Sequence, residues 1–386
     1  MSQSLFAEPR LVTSIDDCLF YHTLDVPGYG TINGFWDIRG NESEYLGGVD
    51  FTGTRVLEIG PASGQLSFFM ERAGAEVVSA DVTEDFHWDF FWDLYDQVPA
   101  DLQPVFELNR DNIERIKNSY WFLHRAFGSN AKVHYGNTYE LPRELGEFDI
   151  SVLACILLHS KYPHRILENC ARLTREKVVV VEPFRQRQLT QSSVEFLPVG
   201  KRWWDTWWGF SPKFFMDVLS SMGFVYSKVS YHTQKQFDIP EHMFTVVASR
   251  NPLTETAPGE EAMRLNLGTS VERLRMQVNA VANLPINLVN LSEVPLSPYA
   301  SLPLFLGYHW RKQSGELVVW DGIRTPLPLV MHKGDEVEVL VMVQAPPEPG
   351  AYLLEISMVR EGVTWYDDQV RGLPLRIEAV ITSAHV

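Results

Sequence analysis

The sequence predicts an α/β fold, a mostly parallel sheet with helices on both faces, followed by an all-β sandwich. Three observations predict it. Residues 51–183 alternate short β-rich runs with helical stretches, the signature of a parallel sheet covered by helices. The runs are nearly continuous in hydrophobicity, as strands buried on both faces should be. Past residue 270 the pattern changes to short alternating segments punctuated by Pro and Gly, without a long helix.

Taken in order, the expected strands are RVLEIG (55–60), AEVVSAD (75–81), AKVHYGN (131–137), FDISVLACILL (148–158) and KVVVVEP (177–183). Between the last two, PHRILENCARL sets Ile166, Leu167, Cys170 and Leu173 on one helical face. SPKFFMDVLSSMGF carries its own helix punctuation, with Ser211 as N-cap, Pro212 in the first turn and Gly223 at the C-terminal cap. FVYSKVSYH (224–232) and HMFTVVASR (242–250), separated by a polar connection, suit an antiparallel hairpin. NPLTETAPGEEAMRLNLGTS is rich in Pro, Gly, Thr and Glu and reads as a linker over 251–270. The expected division is therefore a first domain over 1–250, with 1–50 preceding its glycine loop, and a β-sandwich over 271–386.

A chain of 386 residues suits two domains, and 45% hydrophobic with 21% charged residues suits large globular cores. A net charge of −16 argues against a partner held mainly through phosphates. Cys18, Cys155 and Cys170 are odd in number and scattered, which fits neither a disulfide framework nor a zinc ligand spacing, and no metal site is expected. MSQSLFAEPR lacks the basic start and apolar core of a signal peptide, and no apolar run is long enough to span a bilayer. The cytoplasm is the expected compartment, without membrane insertion.

The chemistry concentrates in RVLEIGPASGQLSFF (55–69). Glycine lets a ligand approach the main chain, and a Gly-rich turn between a parallel strand and a helix is a common nucleotide dock. The spacing Glu58-x-Gly60-x-x-x-Gly64, with Pro61 fixing one angle, departs from the dinucleotide pattern G-x-G-x-x-G. Asp81 ends the next strand, about 20 residues onward, where an acid accepts bonds from ribose hydroxyls. Asn137 ends the third strand, where it either meets an adenine edge or forms a turn with Gly136. The other readings of Glu58 are a helix cap or a partner for Arg55, and of Asp81 a solvated strand-end acid.

Residues 55–82 resemble motifs I and II of the class I S-adenosylmethionine (SAM)-dependent methyltransferases, and the likeness continues through YGNTYELP, FDISVLACILLHSKYP and KVVVVEP. YHTLDVPGYGTINGFWDIRG and WWGFSP bring the chain near the branch containing the tRNA wobble-uridine (carboxy)methyltransferases. The resemblance covers roughly 20–250 and implies a Rossmann-like seven-stranded sheet, with SAM as cofactor and S-adenosylhomocysteine (SAH) as product. It further implies that Gly60, Pro61 and Gly64 line the methionine part of SAM beside Glu58. Asp81 would hold the ribose next to Val82, and Asn137 with Thr138 would border the adenine. Trp36 would lie over the cofactor, and Cys155 would belong to the same site. The family more often has Asp where Asn137 stands, which keeps an acceptor and removes a charge.

Methyl transfer from a sulfonium asks mainly for alignment and exclusion of water, and for a base only when the acceptor must lose a proton. His159, after the fourth strand, is one candidate base, and its other reading is a cap or an ordering residue of its loop. Glu182, ending the fifth strand, is a second candidate that serves equally as a substrate contact. His22, His87 and His164 are further imidazoles within the same region of sequence. KRWWDTWWGFSP packs Trp203, Trp204, Trp207 and Trp208 together, either as a stacking rim or as a plug beneath the sheet. FHWDFFWDLYD (86–96) poses the same choice.

LGYHWRKQSGELVVWDGIRTPLP (306–328) and EPGAYLLEISMVREGVTWY (348–366) resemble a β-sandwich module appended to bacterial glycosyltransferases and methyltransferases. Tyr308 and Trp310 share one strand face, where they stack on a sugar or pack in the core. The expected function is SAM-dependent methylation of a small-molecule or saccharide-bearing acceptor, on oxygen. RNA base modification is the second reading, against which the net charge counts. A glycan-binding or assembly protein that has lost catalysis is the third.

Overall fold

The computed structural model describes residues 4–83, 99–183, 192–198, 205–253, 263–292, 295–296, 304–328, 331–367 and 370–383. His87 with the rest of 86–96, Trp203, Trp204 and residues 254–262 of the expected linker lie outside the described residues, while the linker's end is strand from Leu265 to Gly268. The chain divides into two compact units, one taking in Met1–Gln186 and Gln191–Leu253 and the other Thr254–Val386.

The first unit begins with short elements, β1 (Leu24–Val26), β2 (Gly30–Ile32), β3 (Trp36–Asp37) and α1 (Glu42–Tyr45). The α/β part follows as β4 (Arg55–Ile59), α2 (Gln65–Arg72), β5 (Glu76–Asp81), α3 (Gln103–Phe127), β6 (Lys132–Tyr135), β7 (Phe148–Ala154), α4 (Pro163–Leu173) and β8 (Thr174–Pro183). It closes with β9 (Val194–Phe196), β10 (Trp208–Phe210), α5 (Pro212–Ser221), β11 (Tyr226–Gln236) and β12 (Ile239–Ser249). One mixed sheet runs in the order β3-β11-β12-β8-β7-β4-β5-β6. Strands β4 to β8 pair in parallel, and Val178 to Val181 at its centre are fully buried. Continuous apolar runs are what such doubly covered strands require.

The sheet has eight strands among the described residues where seven were expected. The eighth is β3, whose Asp37 and Trp36 pair with Lys235 and Gln236 of β11. The polar connection expected between the hairpin strands is itself strand. Pairing continues to Gln236↔Ile239, and Phe237 and Asp238 turn the chain with φ of 48° and 64°. A two-residue loop with both central φ positive matches the right-handed twist of an antiparallel pair. Its strands can be polar because antiparallel pairs tolerate one solvated face.

Helix punctuation follows local chemistry. Ser211 caps α5 by accepting from the Phe214 N–H at 3.2 Å, and Gly223 follows the helix with φ 92°. Ile166, Leu167, Cys170 and Leu173 form the buried face of α4. No helix among the described residues is long and apolar enough to cross a membrane.

In the second unit, β13 (Leu265–Gly268), β14 (Arg273–Gln277), β15 (Val281–Asn290), β16 (Leu304–Lys312), β17 (Leu317–Val319) and β18 (Thr325–Pro326) come first. β19 (Glu336–Gln344), β20 (Gly350–Arg360), β21 (Thr364–Trp365) and β22 (Leu375–Thr382) complete it. One sheet has the order β13-β15-β19 and the other β14-β22-β20-β16-β17 with β18 and β21 attached. A single apolar core draws Ile286, Leu288 and Val341 from the first sheet and Leu306, Leu354 and Ile377 from the second. Tyr308 and Trp310 belong to that core and do not present a stacking surface. Trp310 Nε1 donates to the Gln344 carbonyl at 2.9 Å and the Tyr308 hydroxyl accepts from the Gln344 N–H at 3.0 Å, bridging β16 to β19. Buried Trp and Tyr need such partners for their polar ends.

Candidate active site

The chain order places β5 and β6 on one side of β4 and β7 and β8 on the other, so the crevice at the ends of β4 and β7 is a topological switch point. The loop leaving β4 enters that crevice with left-handed φ at Gly60 (69°), Ala62 (47°) and Gly64 (86°). The two glycines do different work. A Cβ on Gly60 would meet Ile156 Cδ1 at 2.8 Å, so this glycine lets the main chain close against the loop after β7. A Cβ on Gly64 would meet the Phe68 and Tyr120 rings, so Gly64 brings the start of α2 against α3. Gly60 and Pro61 line the cavity in the crevice, whereas Gly64 does not.

Two carboxyl groups lie at the strand ends and line the same cavity. Asp81 closes β5, and its Oδ1 accepts from the Val82 N–H at 2.9 Å, which fixes its rotamer. Burial pushes its carboxyl upward, and the field of the Lys117 ammonium pulls it back. Glu58 is 2% exposed. It accepts from the Ser67 hydroxyl and, at 3.2 Å, from the Ser79 hydroxyl, rather than capping a helix or pairing with Arg55. Burial raises it to about 7 against the opposing effect of those two donors. Arg55 instead pairs with Glu76 and donates to the Glu147 carbonyl.

The wall opposite the glycine loop is built by the segment before β4. The Tyr21 N–H donates to Ser63 Oγ at 2.6 Å, tying this segment to the loop. Gly34 lets residues 34–36 lie against 21–23, since a Cβ there would lie 2.3 Å from the His22 backbone. Tyr21, His22, Trp36 and Tyr45 thereby reach the cavity. Burial lowers His22 to about 4, so its imidazole is neutral near pH 7, and burial raises the Tyr21 and Tyr45 hydroxyls, so both stay protonated.

The third wall is the turn after β7. Cys155 takes a left-handed φ of 51°, lines the cavity and has its Sγ 3.4 Å from the Tyr45 hydroxyl. His159 lines the cavity four residues later, and its Nδ1 bonds the Asp205 carbonyl. A carbonyl only accepts, so Nδ1 carries a proton, and in the neutral ring Nε2 is then the basic nitrogen. Glu182 does not line the cavity. Its Oε1 accepts from the N–H groups of Leu157 and Leu158 at 3.1 and 3.3 Å, so the acid holds the His159 turn from behind.

Val82 and Thr138 line the cavity, but Asn137 is exposed and outside it. The Asn137 Oδ1 accepts from the Tyr139 N–H at 2.9 Å, closing a local turn. Trp207 is buried and receives no place in the lining; its N–H donates to the Leu158 carbonyl at 2.7 Å. Trp208 Nε1 donates to the Ser160 carbonyl at 2.9 Å. Both brace the His159 turn, which favours the plug over the stacking rim for this pair. His164 is exposed and away from the cavity. Sequence reading missed Ile113 and Ile116 of α3, which line the cavity, and Asp205, which fixes the His159 ring. Only the one-face apolar spacing of α3 hinted at the first two.

No family model matches the chain, and no curated protein does. Among solved structures, the N-terminal domain of EvdMO1 with SAH bound is 18% identical, with a TM-score of 0.35, covering 54% of this chain and 77% of its own. Magnesium protoporphyrin IX methyltransferase from Synechocystis PCC 6803, also with SAH, is 13% identical at a TM-score of 0.33, covering 54% and 80%. The 1,6-didemethyltoxoflavin-N1-methyltransferase of Burkholderia thailandensis is 13% identical at 0.35, covering 54% and 76%, and holds 1,6-didemethyltoxoflavin and SAH. Those ligands belong to those three proteins.

Proposed function

We propose that the first unit is a class I SAM-dependent methyltransferase acting on a small-molecule or saccharide-bearing acceptor at oxygen. The observation that carries this reading is one cavity shared by the Gly60–Ala62 turn, Asp81 and His159, each at the exit of a different parallel strand. The residues present suit the cofactor. Asp81 offers a fixed carboxylate for two ribose hydroxyls, Val82, Thr138, Ile113 and Ile116 offer an apolar slot for a base, and Gly60 and Pro61 line the cavity beside them. The cavity encloses about 1270 Å³ of empty space including its mouth.

When bound, SAM supplies a methyl group on a sulfonium leaving group. The chain's own contribution is to align and to manage one proton. Tyr21, Trp36 and Tyr45 cover the crevice and exclude water. His159 Nε2 takes the proton of the acceptor hydroxyl, while the Asp205 carbonyl holds Nδ1–H and stabilises the resulting imidazolium. Glu182 acts through the turn it anchors. The second unit, in this reading, is a β-sandwich module accompanying the enzyme.

Thermal shift and calorimetry with SAM and SAH test the assignment, and the absence of any binding would refute it. Asp81→Ala should weaken SAM binding about 10- to 100-fold, the worth of charge-assisted hydrogen bonds. Affinity equal to wild type in that variant would remove Asp81 from the cofactor site.

A further inference from the structure

Helix α3 carries a lysine where an apolar residue belongs. Lys117 is 2% exposed and lies between the cavity residues Ile113 and Ile116 and the buried run Ser119–Leu123. Burying an ammonium is costly unless fixed groups replace its water. Two such groups are in place. The Nζ lies 4.5 Å from the centroid of the Tyr135 ring, and Tyr135 is the direct neighbour of Asp81 across the β5–β6 pair. Asp81 itself supplies the opposite charge.

The groups facing Asp81 from each packed element set up a contest. From β4, Glu58 adds a second acid whose charge disfavours that of Asp81. From β6, Tyr135 presents a phenol, against whose ring Arg10 also lies at 5.9 Å, with the Arg10 charge held by Glu114. From α3, Lys117 is the cation whose field acts on Asp81 among the described residues. An acid that must accept from two hydroxyls needs to be ionised before they arrive.

We propose that Lys117 is a positioning residue for the cofactor acid, keeping Asp81 ionised and in place at neutral pH from inside α3. The consequence for binding rests on the SAM assignment above; the consequence for the carboxylate does not. Ligand-free thermal unfolding from pH 5 to 8.5 therefore comes first, on wild type, Lys117→Met, Asp81→Asn and the double variant. Lys117→Met should lose melting temperature progressively as pH rises, because the Asp81 anion is left without its counter-charge. The double variant should recover most of that loss. A pH-independent loss, or single-variant losses that simply add, would overturn the proposal. Lys117→Gln serves the same cycle if the methionine variant does not fold. In the second arm, SAH binding to Lys117→Met should be weaker than wild type, with the deficit growing as pH falls from 8.5 to 6, because removing the Lys117 charge leaves burial to push the Asp81 carboxyl further upward. Wild-type-like binding throughout would overturn the role of Lys117 alone, whereas no binding by wild type would overturn the cofactor assignment and leave the unfolding cycle to decide on Lys117.

Discussion

His159→Asn is expected to lower kcat by about 10²- to 10⁴-fold while SAM affinity changes by less than about threefold. Asparagine keeps an amide donor where Nδ1–H meets the Asp205 carbonyl, and it removes the atom at the Nε2 position. The turn should therefore survive, since Leu157 and Leu158 remain tied to Glu182 and the Trp207 N–H remains on the Leu158 carbonyl. Glu182→Gln separates base from scaffold. An amide oxygen still accepts from both N–H groups, so a positioning role predicts a smaller loss of kcat than in His159→Asn. A variant at 159 with undiminished kcat would mean that the acceptor loses its proton to solvent or not before transfer, and His159 would revert to ordering its loop.

The contrast between these two residues shows which parts of the site a sequence can reveal. The five parallel strands were legible because burial on both faces writes continuous apolar runs, as in Val178–Val181. The exits of β4 and β5 were legible because close main-chain approach demands glycine and because Asp81 ends an apolar run. Glu182 also ends such a run and looked equivalent, yet its carboxyl turns to the N–H groups of the 157–158 turn. That choice depends on the register of two loops and leaves no local trace. Asn137 lies outside the cavity for the opposite reason. Its chemistry suited a ligand, but an Asx-type bond to Tyr139 two residues on was available and local. Tyr21 and Lys117 were out of reach because their placement depends on contacts such as Tyr21 N–H to Ser63 Oγ, which join segments 42 residues apart. In the second unit, the spacing that put Tyr308 and Trp310 on one face was read correctly as shared, while the side they share is the core.

Glu58 should make the protein less stable as pH rises from about 4.5 to 7, by about 3 kcal/mol in total. In the unfolded chain this carboxyl loses its proton near 4.5, whereas in the fold it keeps the proton up to about 7. Between those values the folded state binds a proton that the unfolded state has released. The stabilisation is therefore complete below 4.5 and gone above 7, the reverse of an acid held by a salt bridge. Glu58→Gln retains an acceptor for the Ser67 and Ser79 hydroxyls and carries no charge, so relative to wild type it should gain stability as pH rises through this range and exceed it at pH 8. Urea unfolding of both proteins at half-unit steps of pH measures this, and equal slopes for the two would refute it. An acid that costs stability at neutral pH calls for a use, and Glu58 lines the cavity assigned to a cationic cofactor. A bound cation favours the ionised carboxyl, so stabilisation by SAM should grow from pH 5 to 7 in wild type and stay level in Glu58→Gln. Level stabilisation in both would leave Glu58 as part of the loop's scaffold, joined to it only through Ser67 and Ser79.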